Sequence, residues 1–130
     1  MSHHRHVVTA LNAPAAVGPY SHAVVSNGLL FCSGQVPLDP ATGKLSGDTP
    51  AAQAQRCLEN LSLVATAAGA TLADAVRLTI YVTDMGSFAS VNEAYAEYFP
   101  ADPPARVTIG VAALPLGAQV EIDAVIALPV

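Results

Sequence analysis

The sequence predicts an α+β domain in which two helices cover one face of a mixed sheet. Two stretches carry apolar residues at three-four spacing, and five shorter stretches carry apolar runs or alternation, in the order β-β-α-β-α-β-β. Each helical stretch has one apolar stripe, enough for one side of a sheet and no more. With no third helix, the opposite face lacks a cover, and the simplest cover is another copy of the same chain.

The first two strands flank Asn27-Gly28, a pair whose tolerance of positive φ suits a tight hairpin. Pro37 to Pro50 is rich in turn formers without an apolar period, so it reads as a long surface loop. Thr49 before Pro50 is an N-cap followed by a first-turn proline. From there Ala54, Cys57, Leu58, Leu61, Val64, Ala65 and Ala68 form one helical stripe, closed by Gly69 as a left-handed cap. Val76, Leu78, Ile80 and Val82 alternate with Arg77, Thr79, Tyr81 and Thr83 in the clearest strand. A second helix over about residues 87–98 carries Phe88, Val91, Tyr95, Tyr98 and Phe99 and stops before Pro100. Two final strands follow, one with Val107, Ile109 and Val111 in alternation and one with Val120, Ile122 and Ala124. The turn Leu114-Pro115-Leu116-Gly117 separates them and suggests that they pair.

A length of 130 residues fits one domain, read as residues 13–130 behind a flexible N-terminal tail at 1–12. Charged residues are 12% of the chain, about half the usual share, so a lone copy would cover its surface poorly. Five bases against ten acids give a net charge of -5, which disfavours nucleic acid as a partner. The longest apolar runs, such as Leu29 to Cys32, fall far short of the ~20 residues that span a bilayer, so no membrane contact is expected. No apolar signal segment follows the basic N-terminus, and a cytoplasmic location is the expectation. Cys32 and Cys57 lack the spacing of a disulfide framework or zinc knuckle and read as buried thiols. His3, His4 and His6 sit in the tail with no thiol or carboxylate beside them, so no metal site is expected. The chain contains no G-x-S-x-G, H-E-x-x-H, Walker or G-x-G-x-x-G motif.

Arg106 is the first candidate for chemistry. Pro103-Pro104-Ala105 is a stiff lead-in to its strand, and Thr108 shares its face, so an anion could meet a guanidinium fork and a hydroxyl from one direction. The alternative for Arg106 is a rim salt bridge to Asp102 or Glu121. Glu121 shares a strand face with Asp123. If partly dry, raised by Asp123 and moderated by Arg106, it could hold and deprotonate a water; ordinary solvation is the alternative. Tyr20 after Gly18-Pro19, and Ser33-Gly34 at a strand end, offer hydroxyl and backbone donors near loops, though each is also a common turn or strand-end residue. Asn92 could cap a pocket or lie on a helix surface.

Gly18-Pro19-Tyr20-Ser21, Ser33-Gly34-Gln35-Val36-Pro37-Leu38-Asp39-Pro40, Val91-Asn92-Glu93, and Pro104-Ala105-Arg106-Val107 with Val120-Glu121-Ile122 together carry a resemblance. The chain resembles the reactive intermediate deaminase A family (RidA, also YjgF) over about residues 13–125. The resemblance implies a chorismate-mutase-like subunit, a homotrimer with sites at the subunit clefts, and hydrolysis of reactive 2-imino acids such as 2-aminoacrylate to 2-oxo acids and ammonia, with no cofactor. It assigns Arg106 to the substrate carboxylate, Glu121 to the water, and Tyr20, Ser33, Gly34 and Asn92 to the pocket. Thr108 stands where relatives often carry cysteine, which puts fine substrate preference in question. The alternatives are a non-catalytic binding or holdase member of the same fold and a relative acting on an aminomuconate or aminoacrylate intermediate. A ribonuclease, an activity sometimes attached to the family, is disfavoured by the acidic charge.

Overall fold

Alternation in the central strands puts one row of each into a common core, and the helices close over that side. The computed structural model describes residues 4–129. Its strands are β1 (Arg5–Val8), β2 (Ala23–Ser26), β3 (Leu29–Gln35), β4 (Ala75–Val82), β5 (Ala105–Gly110) and β6 (Val120–Ala127). The helices are α1 (Pro50–Ala67) and α2 (Phe88–Ala96). The sheet order is β1-β2-β3-β6-β4-β5, with β4 and β5 parallel and every other pair antiparallel. The sheet is therefore mixed and the domain α+β, as predicted.

Local chemistry sets the element ends. Asn27 (φ 53) and Gly28 (φ 75) form the left-handed pair that turns β2 into β3. Thr49 accepts a hydrogen bond from the Ala52 N–H at the start of α1, where Pro50 has no N–H to leave unpaired. Two buried amides tie loops to α1. Asn60 donates to the carbonyl of Leu38 (2.9 Å), while Gln53 accepts from the backbone of Gln119 (2.8 Å) just before β6. Leu58, Leu61 and Val64 of α1, Val91 and Tyr95 of α2, and Leu78, Ile80, Val120, Ile122 and Ile126 of the sheet share one core. Both cysteines are buried, and burial pushes the Cys32 thiol up to about 12.

Four expectations are corrected. The tail predicted at residues 1–12 contains β1, an edge strand pairing His6 with Val25 and Val8 with Ala23. Its main-chain bonds leave little trace in four residues of sequence. The link after it is pinned by His22, whose ring accepts from the Ala10 N–H (2.9 Å) and donates to the Pro14 carbonyl (2.7 Å). Residues 1–3, including His3 of the histidine cluster, lie outside the described residues. Second, β5 and β6 do not pair. The β4–α2–β5 unit lays β5 parallel beside β4, and β6 fills the slot between β3 and β4. Third, a register shift between Ala75 and Arg77 takes Val76 out of the core row, leaving it 45% exposed. Fourth, the second helix is shorter than residues 87–98. A 3-10 turn at Met85–Ser87, held by Asp84 accepting from the Gly86 N–H, precedes it.

The two faces of the sheet differ sharply. Leu78, Ile80 and Val82 point to the helices, and in parallel register their partners Arg106, Thr108 and Gly110 point the same way. The apolar residues of β5, Val107 and Ile109, therefore lie on the opposite face with Thr79 and Tyr81. On that face Val7, Val24, Phe31 and Val125 form a row across four strands, and Val7, Phe31, Val107 and Ile109 are all exposed. Among the described residues, no helix is long and apolar enough to cross a membrane.

Candidate functional site

β5 is an edge strand, so its helix-side row sits at the margin of the core, beside α2. There the Arg106 guanidinium donates from Nη1 to the Asn92 Oδ1 at 2.7 Å. Its Cζ lies 4.9 Å from the ring centroid of Tyr95 and 5.7 Å from that of Phe88. Phe88, Asn92 and Tyr95 follow one another at spacings of four and three on α2, which brings two aromatic faces and one amide oxygen to the same cation. Arg106 forms no salt bridge to Asp102 or Glu121; among the described residues the one ion pair is Arg56–Glu59. The guanidinium is thus oriented without being neutralised. Two buried polar atoms in this row and on α2, Thr108 Oγ1 and Tyr95 OH, lack hydrogen-bond partners. An unmet buried hydroxyl costs about 1–3 kcal/mol. Burial pushes the Tyr95 phenol up, and Arg106 partly opposes it.

Glu121 lies on the other side. It pairs in register with Tyr81, whereas Arg106 pairs with Leu78 of the core row, so the carboxylate and the guanidinium occupy opposite faces of the sheet. Glu121 lines a cavity of about 370 Å³ with Tyr20, Ser33, Gly34, Val17, Val36, Pro115 and Leu116. A β-bulge between Cys32 and Gln35 removes Ser33 and Gly34 from the ladder with β6. A Cβ at Gly34 would collide with the Glu121 carboxylate, so glycine is what lets that carboxylate lie against the backbone of β3. Ser33 Oγ donates to the Ser21 carbonyl (2.6 Å), and the Tyr20 hydroxyl accepts from the Val17 N–H (3.3 Å). Burial first, and the Asp123 carboxylate second, raise Glu121 above the usual carboxylate range. Asp123 is held by the Tyr81 hydroxyl at 2.9 Å.

The residues singled out in the sequence thus fall into two groups. Tyr20, Ser33, Gly34 and Glu121 line one cavity; Asn92, Arg106 and Thr108 belong to the other side of the sheet. The expectation that Arg106 moderates Glu121 does not hold within one chain, because period-two geometry sends them in opposite directions. Sequence reasoning also missed Phe88 and Tyr95 as supports for Arg106, having assigned both to the core stripe of α2. Their spacing with Asn92 was the available signal. Val17, Val36, Pro115 and Leu116 were not recognised as cavity walls, since they lie on loops with no period to read.

A family model described as Endoribonuclease L-PSP matches residues 10–128. The chain is 44% identical to Reactive Intermediate Deaminase A, chloroplastic, of Arabidopsis thaliana, over 95% of this chain and 66% of that protein. It is 40% identical to the Homo sapiens 2-iminobutanoate/2-iminopropanoate deaminase, over 93% of this chain and 88% of that protein. The crystal structure of E. coli TdcF with bound serine superposes with a TM-score of 0.88 at 34% identity, covering 95% of this chain and 99% of that one. These matches span nearly the whole domain, and the chain belongs to the reactive intermediate deaminase A (RidA, YjgF) family.

Proposed function

We propose that this chain is a cofactor-independent deaminase that hydrolyses 2-imino acids, its active sites completed between copies of itself. The observation that carries the reading is the split across the sheet. An un-neutralised guanidinium, oriented by Asn92 and Tyr95, lies on one face, and a desolvated carboxylate with no basic partner lies on the other. A contact joining the Arg106 margin of one copy to the Glu121 face of the next, repeated head to tail, is heterologous, and such contacts form a ring where the rotation closes. The ring we propose has three members, in keeping with the exposed apolar row on the Glu121 face. Relatives named as deaminases support the reading.

The chemistry asks for positioning more than force. The C=N carbon of a 2-imino acid is electrophilic, and a well-placed water adds to it readily. Arg106 binds the substrate carboxylate by a two-pronged contact, and the Thr108 hydroxyl supplies a polar partner on the same side. Glu121, with its raised proton affinity, takes a proton from the attacking water and passes it to the imine nitrogen, giving a carbinolamine. It then takes the hydroxyl proton of that intermediate and passes it to nitrogen as the C–N bond breaks and the C=O bond forms. Ammonia leaves and the 2-oxo acid remains. Tyr20, Ser33 and the Gly34 backbone line the cavity around that step. The endoribonuclease description of the family model finds no support in the cavity, which has no Lys or Arg among its lining residues, or in the net charge of -5.

The test is ammonia release from imines made fresh by an amino-acid oxidase. Wild type should accelerate it, and Arg106→Ala should lower kcat/KM about 100-fold or more for every acid tried, because each presents the same anionic end. A wild type that binds 2-oxo acids but leaves imine decay at its spontaneous rate would establish a binding module instead.

A further inference from the structure

Leu116 stands out at the mouth of the Glu121 cavity. Its backbone is left-handed (φ 60, ψ 20), a conformation that costs a leucine about 1–2 kcal/mol. Its side chain is 60% exposed, so little packing within the chain offsets that strain. Val17, another wall of the same cavity, is 75% exposed. A strained backbone holding an apolar side chain over a cavity is the pattern expected where the side chain meets a ligand. The cavity is also chemically divided. Tyr20, Ser33, Gly34 and Glu121 supply its polar groups, whereas Val17, Val36, Pro115 and Leu116 are aliphatic.

We infer that Leu116, with Val17, is a specificity-determining residue, forming an aliphatic wall that selects 2-imino acids with branched or extended hydrocarbon side chains. This rests on the deaminase reading above. The size fits a small ligand, since about 370 Å³ lies at the lower end of ligand pockets. Charge complementarity fits as well. With Glu121 in the cavity and Arg106 of the next copy already taken up by the substrate carboxylate, an acidic side chain would meet repulsion there, while a hydrocarbon one would bury surface against Leu116 and Val17.

Leu116→Asn tests the inference, because asparagine tolerates left-handed backbone and keeps the approximate size while removing the apolar surface. Its kcat/KM for the leucine-derived imine, relative to the alanine-derived one, should fall about tenfold through KM with kcat little changed. Calorimetric binding of 4-methyl-2-oxopentanoate and pyruvate reads the same ratio without turnover, and Val17→Thr should lower it in the same direction. A ratio within twofold of wild type in both assays overturns the inference. If sedimentation also changes while the ratio does not, Leu116 packs between copies and the inference fails. If wild type shows no turnover but the binding ratio depends on Leu116, the deaminase reading falls and the aliphatic wall stands.

Discussion

The margin beside α2 and the cavity beside β3 solve opposite problems. At the margin, Arg106 is a permanent charge held in place by a 2.7 Å hydrogen bond to Asn92 and an aromatic face at 4.9 Å, and its fork is left without a carboxylate. In the cavity, Glu121 is made less willing to ionise by burial and by Asp123, against a backbone thinned to glycine at position 34. One region holds a cation in place without neutralising it, the other raises the proton affinity of a carboxylate. Neither could do the other's work, and the sheet between them keeps the cation from quenching the base within a chain.

The sharpest way to break this comparison is to mix two damaged proteins. On the proposed mechanism Arg106→Ala removes the grip and Glu121→Gln the base, and each alone should leave about 1% of activity or less. If each site joins Arg106 of one copy to Glu121 of the next, unfolding and refolding the two variants together in equal amounts should return about a quarter of the sites to wild-type composition. Ammonia release near that level supports sites shared between copies. No recovery, with mixed assemblies present by native mass spectrometry, would place both residues' work within a single chain and refute the arrangement.

How much of this was legible in the sequence follows from the range of the signals. The hairpin at Asn27-Gly28, the Thr49-Pro50 helix start and the alternation of Leu78, Ile80 and Val82 are local patterns, and each was found where the structure has it. The partner of β5 was not local. Proximity along the chain pointed to β6, whereas the β4–α2–β5 unit set the neighbour. That misreading also hid the division of the site. Arg106 and Thr108 were correctly placed on one strand face, and Glu121 with Asp123 on another, but no spacing says whether two faces of different strands look the same way. Only the register of Leu78 with Arg106 and of Tyr81 with Glu121 decides it. Phe88 and Tyr95 were visible as apolar residues, but a helix stripe does not say which members pack on the core and which lie under a cation.

The cavity side can be sharpened by a single methyl group. Gly34→Ala puts a Cβ where the Glu121 carboxylate lies, and the atoms it meets belong to the free end of a side chain. The carboxylate can swing away, so stability should fall by only about 1 kcal/mol in a denaturant titration. Activity should fall further, about 10- to 100-fold, because a base displaced by an ångström no longer addresses the water well. An alanine variant with wild-type kcat would show that the position of Glu121 against β3 does not matter.

The smallest expected effect concerns pH. Glu121 must be ionised to accept a proton, so the rate should fall as pH drops through its raised pKa, at a higher pH than an ordinary carboxylate would give. Asp123→Asn removes the second cause of that elevation and keeps an oxygen to accept from the Tyr81 hydroxyl. The acid limb of kcat/KM should therefore move to lower pH, by less than the full elevation, since burial persists. The same elevation acts on stability with a definite sign. The folded chain holds the Glu121 proton more tightly than the unfolded chain, so it binds more protons between the two pKa values, and stability falls as pH rises through that window. Glu121→Gln should then melt slightly above wild type at neutral pH, with the gain vanishing below the ordinary carboxylate pKa. A variant that melts lower at neutral pH would mean that Arg106 of a neighbouring copy lies close enough to hold the Glu121 carboxylate ionised and outweighs burial and Asp123.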